Sequence, residues 1–276
     1  MKKIAYVGTK INFDIYRVLH NRIKEVKNLD SEIFYVSYLD VTIDEFLKEY
    51  DAVFFEDNLY NKQKFDFYFN VDGVIQEINL KKLSFIELMK YANFKIENSN
   101  ILILETNEYF KQIYEGLKEL KASKFHISSI KQNNSIKLDK GDYFKNFLDI
   151  ERLSNLDLII NLTDVGNIYT LDQSPLKNDT NINSKYVLDL VKIPIESTFL
   201  KQFKSKGANI IYGIDLSIIE MILMLLMIFD RKDIFYNEFI KQLHVFVDKK
   251  INPRPKNEVE EINTSKEFLK LLKGNI

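Results

Sequence analysis

The chain of 276 residues contains no cysteine, which excludes disulfides, thiolate-held metals and a cysteine nucleophile at once. Only three histidines occur, far apart in sequence, so a histidine-rich metal cluster is excluded too. Glycine is scarce, with eight residues in all, and tryptophan is absent. Neither sign of charge dominates: 39 Lys and Arg stand against 40 Asp and Glu, a formal charge of -1, with no basic stripe or arm. A phosphate backbone needs such a stripe, so nucleic acid is not an expected partner. Long hydrophobic runs are missing as well. The most apolar segment, Ile218 to Phe229, is bounded or interrupted by Asp215, Glu220 and Asp230. It falls short of the roughly 20 apolar residues that span a bilayer, and reads as a buried helix with no membrane partner. The opening MKKIAYVG enters a strand-like pattern rather than a secretory signal, so a cytoplasmic location is expected.

What is present is a 46% hydrophobic chain long enough for two modest domains. Short apolar runs alternate with helix-length amphipathic stretches. Lys3 to Val7, Tyr16 to Val26, Glu32 to Tyr38, Ile43 to Glu49 and Ala52 to Phe55 form a first set. Ile101 to Leu104, Tyr109 to Lys121, Lys124 to Ile127, Leu158 to Asn161, Tyr186 to Val191, Thr198 to Lys206 and Asn209 to Tyr212 form a second. The alternation predicts an α/β layer architecture with parallel strands. Gly207 stands where a helix C-terminus wants a left-handed residue. Polar residues Asn98, Ser99 and Asn100 mark a junction, giving domains at 1 to 97 and 98 to 215. Residues 216 to 276 are expected to return to the first domain. Near the end, Thr264 and Glu267 read as a capping box ahead of a last helix.

Glu105, Thr106, Asn107 and Glu108 occupy the turn between the apolar run 101 to 104 and the following helix. A dinucleotide-binding chain carries a glycine-rich turn there, presenting N–H groups and a helix dipole to pyrophosphate. Two carboxylates oppose that anion, since one charge pair at 4 Å is worth about 4 kcal/mol at an effective dielectric near 20. Alternatively, Thr106 or Asn107 acts as helix N-cap with an acidic first turn. Lys81 and Lys82 read as solvated surface, and His20 and His126 as structural. The dense aromatic segment from Phe54 to Phe69 reads mostly as core or domain contact, with an exposed partner-binding patch as the alternative.

Three segments carry a family pattern. DLIINLTDVG, from Asp157 to Gly166, is similar to "DLIINATPVG"; Leu188 to Gly213 is similar to a block with "Asp-x-x-Tyr-x-Pro", "Glu-Thr-x-Leu" and "Lys-x-x-Gly-Ala"; and a helix follows Gly213. Together they resemble the shikimate dehydrogenase family, with weaker matches at Gly8, Ile11, His20, Asn21, Asp72, Gly73 and Asn79. The resemblance implies a two-domain α/β fold: an N-terminal substrate domain, an NADP-binding Rossmann domain and a cleft between them. It also implies reversible NADPH-dependent reduction of 3-dehydroshikimate to shikimate, with a lysine and an aspartate handling the proton.

Carried over residue by residue, that chemistry is lost. The two carboxylate-holding serines fall on Asp14 and Tyr16. The catalytic lysine falls on Tyr60, with Lys62 two residues away, and the catalytic aspartate on Lys81. The tyrosine of the "Asp-x-x-Tyr-x-Pro" turn is Lys192, and the glutamine of the final helix is Glu220. With Asn79 these positions make up the substrate-like cleft. On the cofactor side the resemblance points to Glu105 to Glu108, Thr163 and Gly213. The residue meeting the 2'-phosphate is Ile130, beside Lys131. Three readings follow. The leading one is a member inactive in the family reaction, without cofactor or kept for binding a small molecule or protein. The second is an NADP(H)-dependent reductase of another substrate using Lys62 or Lys81, with Lys131 near the 2'-phosphate. The third is an interaction module using the 54 to 69 segment or the C-terminal helix.

Overall fold

The computed structural model describes residues 1–37, 42–56, 65–107, 109–129, 138, 142–145, 147–234 and 237–251. Tyr60, Lys62, Glu108, Ile130, Lys131 and the predicted last helix lie outside the described residues. The chain divides into two compact units, residues 1–80 with those from 220 onward, and Lys81–Ile219.

In the first unit, β1 (Lys2–Val7), α1 (Lys10–Lys27), β2 (Ser31–Val36), α2 (Ile43–Glu49) and β3 (Ala52–Phe55) follow the predicted alternation. Thr9 starts α1 by accepting the Asn12 N–H at 3.4 Å, and Asn28 ends it in the left-handed region. A capping box of Thr42 and Glu45 starts α2. β4 (Phe67–Val71) and β5 (Val74–Ile78) then add an antiparallel pair, giving the sheet order β2-β1-β3-β4-β5. The expected strands β1, β2 and β3 pair in parallel, and the antiparallel hairpin is an element added to them. The cause is local: Asp72 and Gly73 both have positive φ, 50° and 85°, the two-residue turn that matches strand twist. Phe54, Phe55, Phe67, Tyr68 and Phe69 are buried by this sheet, so these rings are core and form no exposed patch.

The second unit contains α3 (Leu80–Tyr91, whose first residue is counted with the first unit), β6 (Asn100–Leu104), α4 (Phe110–Glu119), β7 (Lys124–Ser128), β8 (Tyr143–Lys145), α5 (Phe147–Ile150), β9 (Leu156–Asn161), β10 (Ser184–Asp189), α6 (Thr198–Ser205) and β11 (Asn209–Tyr212). Its six strands are all parallel, in the order β11-β10-β9-β6-β7-β8. Buried on both faces, β6 and β9 read as continuous apolar runs because helices cover a parallel sheet. Phe199, Leu200 and Phe203 of α6 pack with Leu102, Ile159 and Val187 in that core. Gly207, at φ 85°, closes α6 as predicted.

The apolar helix α7 (Gly213–Phe229) is buried along most of its length, including Asp215, Ser217 and Glu220. Among the described residues no helix is long and apolar enough to cross a membrane. α8 (Asn237–Ile251) packs on α1, where Arg22 lies over Phe246 and Lys27 over Phe239.

Candidate functional site

In the first unit, two phenol–carboxylate pairs are buried side by side. The Tyr6 hydroxyl donates to Glu56, and the Tyr16 hydroxyl to Glu220. All four side chains are at most 3% exposed. The Tyr6 and Tyr16 rings pack 5.0 Å apart, and Phe54 closes the group at 5.9 Å and 5.6 Å from them. Burial, then the charges of Glu56, Tyr16 and Glu220, hold the Tyr6 phenol well above its ordinary range. Gly8 makes room for this arrangement. A Cβ there would lie 2.8 Å from Glu56 Oε2 and 2.9 Å from its Cβ. Tyr16 and Glu220, predicted to line a substrate pocket from opposite ends of the sequence, are thus brought together and bonded to each other. Asp14, also buried, pairs with Arg17 at 2.8 Å one helical turn on. Asn79 is half-buried at the entrance to α3, where the Leu80 N–H donates to Asp66 at 2.5 Å.

In the second unit, the chain leaves β6 toward β7 and leaves β9 toward β10, on opposite sides. The boundary between β6 and β9 is therefore the switch point, where open α/β sheets take ligands at the strands' carboxyl ends. Glu105, the first residue beyond β6, has φ 74°, a conformation that costs an L-residue about 1 kcal/mol or more. Its N–H donates to the Ser128 carbonyl at 2.6 Å. The carboxylate folds back: Oε1 accepts the Thr106 N–H at 3.0 Å and the Ser129 hydroxyl. Asn107 Oδ1 accepts the Tyr109 N–H at 2.9 Å, and its Nδ2 donates to the Leu162 carbonyl at 2.8 Å, tying the β6 loop to the β9 loop. The expectation that Thr106 or Asn107 is the N-cap of α4 is corrected. The helix starts at Phe110, the N-cap position is Tyr109 without a side-chain cap, and Asn107 caps the preceding turn. In this turn side-chain oxygens of the chain itself take the Thr106 and Tyr109 N–H groups, and one of them is a carboxylate.

The neighbouring strand ends are built differently. Asp189, at the end of β10, is fully buried and accepts from Asn161 Nδ2 at 2.9 Å, from the Val191 N–H at 3.0 Å and from the Ser197 hydroxyl. Ser197 also caps α6, accepting the Leu200 N–H at 3.2 Å. Thr163 donates its N–H and its hydroxyl to Asn161 Oδ1, at 2.9 Å and 2.8 Å. Burial pushes the Asp189 carboxyl up to about 6, against the pull of its three donors. Gly213 is required here, since a Cβ would sit 2.5 Å from the Asp189 carbonyl oxygen and 2.7 Å from the Leu190 carbonyl carbon. This network gives the motif residues Asn161, Thr163, Asp189 and Gly213 a structural role.

Lys81 overturns its surface expectation. In the first turn of α3 it is 1% exposed, with its Nζ 4.9 Å from the centroid of the Tyr109 ring. Lys192, half-buried in the loop after β10, brings its own Nζ to 6.0 Å from the same ring. Tyr109 and Ser129 are site residues that sequence reasoning misses. Tyr109 is signalled only by its place at the end of the loop beyond β6. Lys82 is partly exposed and pairs with Glu119 at 3.0 Å. His20 and His126 are buried, His20 against the Ser31 hydroxyl at 2.9 Å, in agreement with a structural role for His20.

No family model matches the chain. Among curated proteins it is similar to the NADP(+) shikimate dehydrogenase of Clostridium botulinum (strain Loch Maree / Type A3), with 33% identity over 136 residues. That match is 49% of this chain and 53% of that protein. The chain spans about half the length of the curated relatives it matches first. Among solved structures it resembles a chorismate mutase/shikimate 5-dehydrogenase fusion protein from Clostridium acetobutylicum, with a TM-score of 0.79 and 13% identity, covering 91% of this chain and 99% of that one. It also resembles the shikimate 5-dehydrogenase of Thermus thermophilus in complex with NADP(H) and shikimate, with a TM-score of 0.72, 15% identity and coverage of 88% and 98%. By sequence over about half its length the chain resembles shikimate dehydrogenases, and over about nine-tenths of it the chain shares the fold of solved shikimate dehydrogenase structures.

Proposed function

We propose that this chain is a shikimate dehydrogenase-like protein that does not perform the NADPH-dependent reduction of 3-dehydroshikimate and instead keeps the fold to bind a small molecule. The observation that carries the reading is the Glu105 carboxylate on the Thr106 N–H, in the turn where a relative's pyrophosphate would need both the donor and an absence of negative charge. A dinucleotide would have to displace that bond and lie against the same carboxylate. At an effective dielectric near 20 this repulsion costs about 4 kcal/mol per charge at 4 Å, roughly a thousandfold in affinity. The substrate side supports the same conclusion. Tyr16 and Glu220 fall where relatives place a serine and a glutamine, and they are joined to each other in a buried pair. A carboxylate substrate meets no serine hydroxyl there. We place the protein in the cytoplasm, with a small organic ligand rather than nucleic acid as its partner.

The test is a steady-state assay of nicotinamide absorbance, with NADPH and 3-dehydroshikimate in one direction and NADP(+) and shikimate in the other. The expected result is no turnover above a protein-free blank at high enzyme concentration. Turnover that scales with protein would overturn the reading.

A further inference from the structure

We propose that two copies of this chain pair through the outer edge of β5, joining the sheets of their first units antiparallel across a two-fold axis. Strand pairing fixes which backbone groups stand on that edge. The Phe55 N–H donates to the Asp66 carbonyl at 2.8 Å and the Asn70 N–H to the Asp51 carbonyl at 3.0 Å, so Asp66, Tyr68 and Asn70 bond toward β3. Phe67, Phe69 and Val71 therefore bond toward β5, where Ile78, Gln76 and Val74 face them. The alternation leaves the N–H and C=O groups of Ile75 and Glu77 pointing away from β4. Since β5 ends the sheet, no other strand among the described residues pairs with them. The side chains leave this edge open as well. Val74 is 59% exposed, and Val71, which faces it across the hairpin, and Ile75 are exposed too. No lysine or proline blunts the run from Val74 to Ile78. At the opposite edge of the same sheet, Glu32 is the one exposed residue of β2.

The register of β5 selects a second copy as the occupant. With the two-fold axis at Gln76, Ile75 of one copy faces Glu77 of the other, and every outward N–H of one strand meets an outward C=O of its counterpart. Val74 then faces Ile78 of the second copy in a non-hydrogen-bonded pair, where side chains come closest, and Gln76 faces its own counterpart. Glu77, the only charged residue of the strand, lies opposite Ile75, so no like charges are directly opposed. The strand thus satisfies its own edge groups and covers its own valines.

The test is sedimentation velocity on the full chain from about 1 to about 100 µM, with Val74→Lys and Glu77→Pro beside the wild type. The wild type should shift from the mass of one chain to twice that mass across the range. Val74→Lys sets a charge at an exposed position against Ile78 of the second copy, and Glu77→Pro removes an outward N–H while leaving the bonds to β4 in place. Each should weaken association at least about tenfold, with far-UV circular dichroism and thermal melts unchanged. Because the chain has no cysteine, Gln76→Cys reports the register. It should form a disulfide-linked dimer under mild oxidation, since facing residues of a non-hydrogen-bonded pair lie within bridging distance. Ile75→Cys should not, because its counterpart stands on the diagonal. A wild type that stays monomeric at about 100 µM overturns the inference and leaves the edge to an extended segment of another protein. Association of wild-type strength in Val74→Lys overturns it even if Glu77→Pro fails to fold. Cross-linking of Ile75→Cys in place of Gln76→Cys overturns the two-fold register.

Discussion

Replacing Asp189 by asparagine should remove a specific pH dependence from the protein's stability. The Asp189 carboxyl is raised by burial from its ordinary 3.8 to about 6. Below 3.8 it carries a proton in both folded and unfolded chains. Between 3.8 and about 6 the unfolded chain releases the proton and the folded chain keeps it, so this residue's contribution to stability falls as pH rises and levels off above that window. The gap is roughly two pH units, and at about 1.4 kcal/mol per unit the loss is about 3 kcal/mol, a large part of a typical folding free energy. Asparagine keeps the contacts: its oxygen accepts from Asn161 and Val191, and its amide donates to the Ser197 oxygen. Urea unfolding of both proteins from about pH 3.5 to about pH 7 gives the comparison directly, because every other titrating group cancels in the difference. The wild type should lose about 3 kcal/mol relative to Asp189→Asn over that range. A difference that stays flat with pH would refute the placement of a raised carboxyl in this network.

Gly213→Ala should lower stability by about 3 kcal/mol or prevent folding, since its Cβ meets backbone atoms of Asp189 and Leu190 well inside contact distance; thermal melts check this. Tyr16→Phe should cost about 2 kcal/mol in denaturant unfolding, because it removes a buried donor to Glu220 without changing ring packing.

Much of the fold is legible because burial writes itself into the sequence. The strands β6 and β9 are largely apolar runs, α6 ends at a glycine with φ 85°, and α7 is an apolar stretch interrupted by Asp215 and Glu220. The hairpin of β4 and β5 escapes that reading. Its Asp72-Gly73 turn signal is present, but the flanking FYFNV and VIQEI lack clean polar alternation. At the candidate site, the carboxylate of Glu105 in the turn beyond β6 is readable directly from the sequence. Its partners are not, since Ser129 comes from a loop 24 residues away and meets Glu105 only once β6 and β7 pair. Lys81 reads as surface because lysine favours solvent, and only tertiary structure brings it over Tyr109. Likewise, the pairing of Tyr16 with Glu220 joins residues 204 positions apart.

Calorimetric titration of the purified protein with NADPH and NADH tests the central claim most directly. With the Glu105 carboxylate on its own turn N–H, no heat of binding should be found at millimolar nucleotide. Binding at micromolar strength would contradict the account, because it would require that turn to open and admit a pyrophosphate beside the carboxylate.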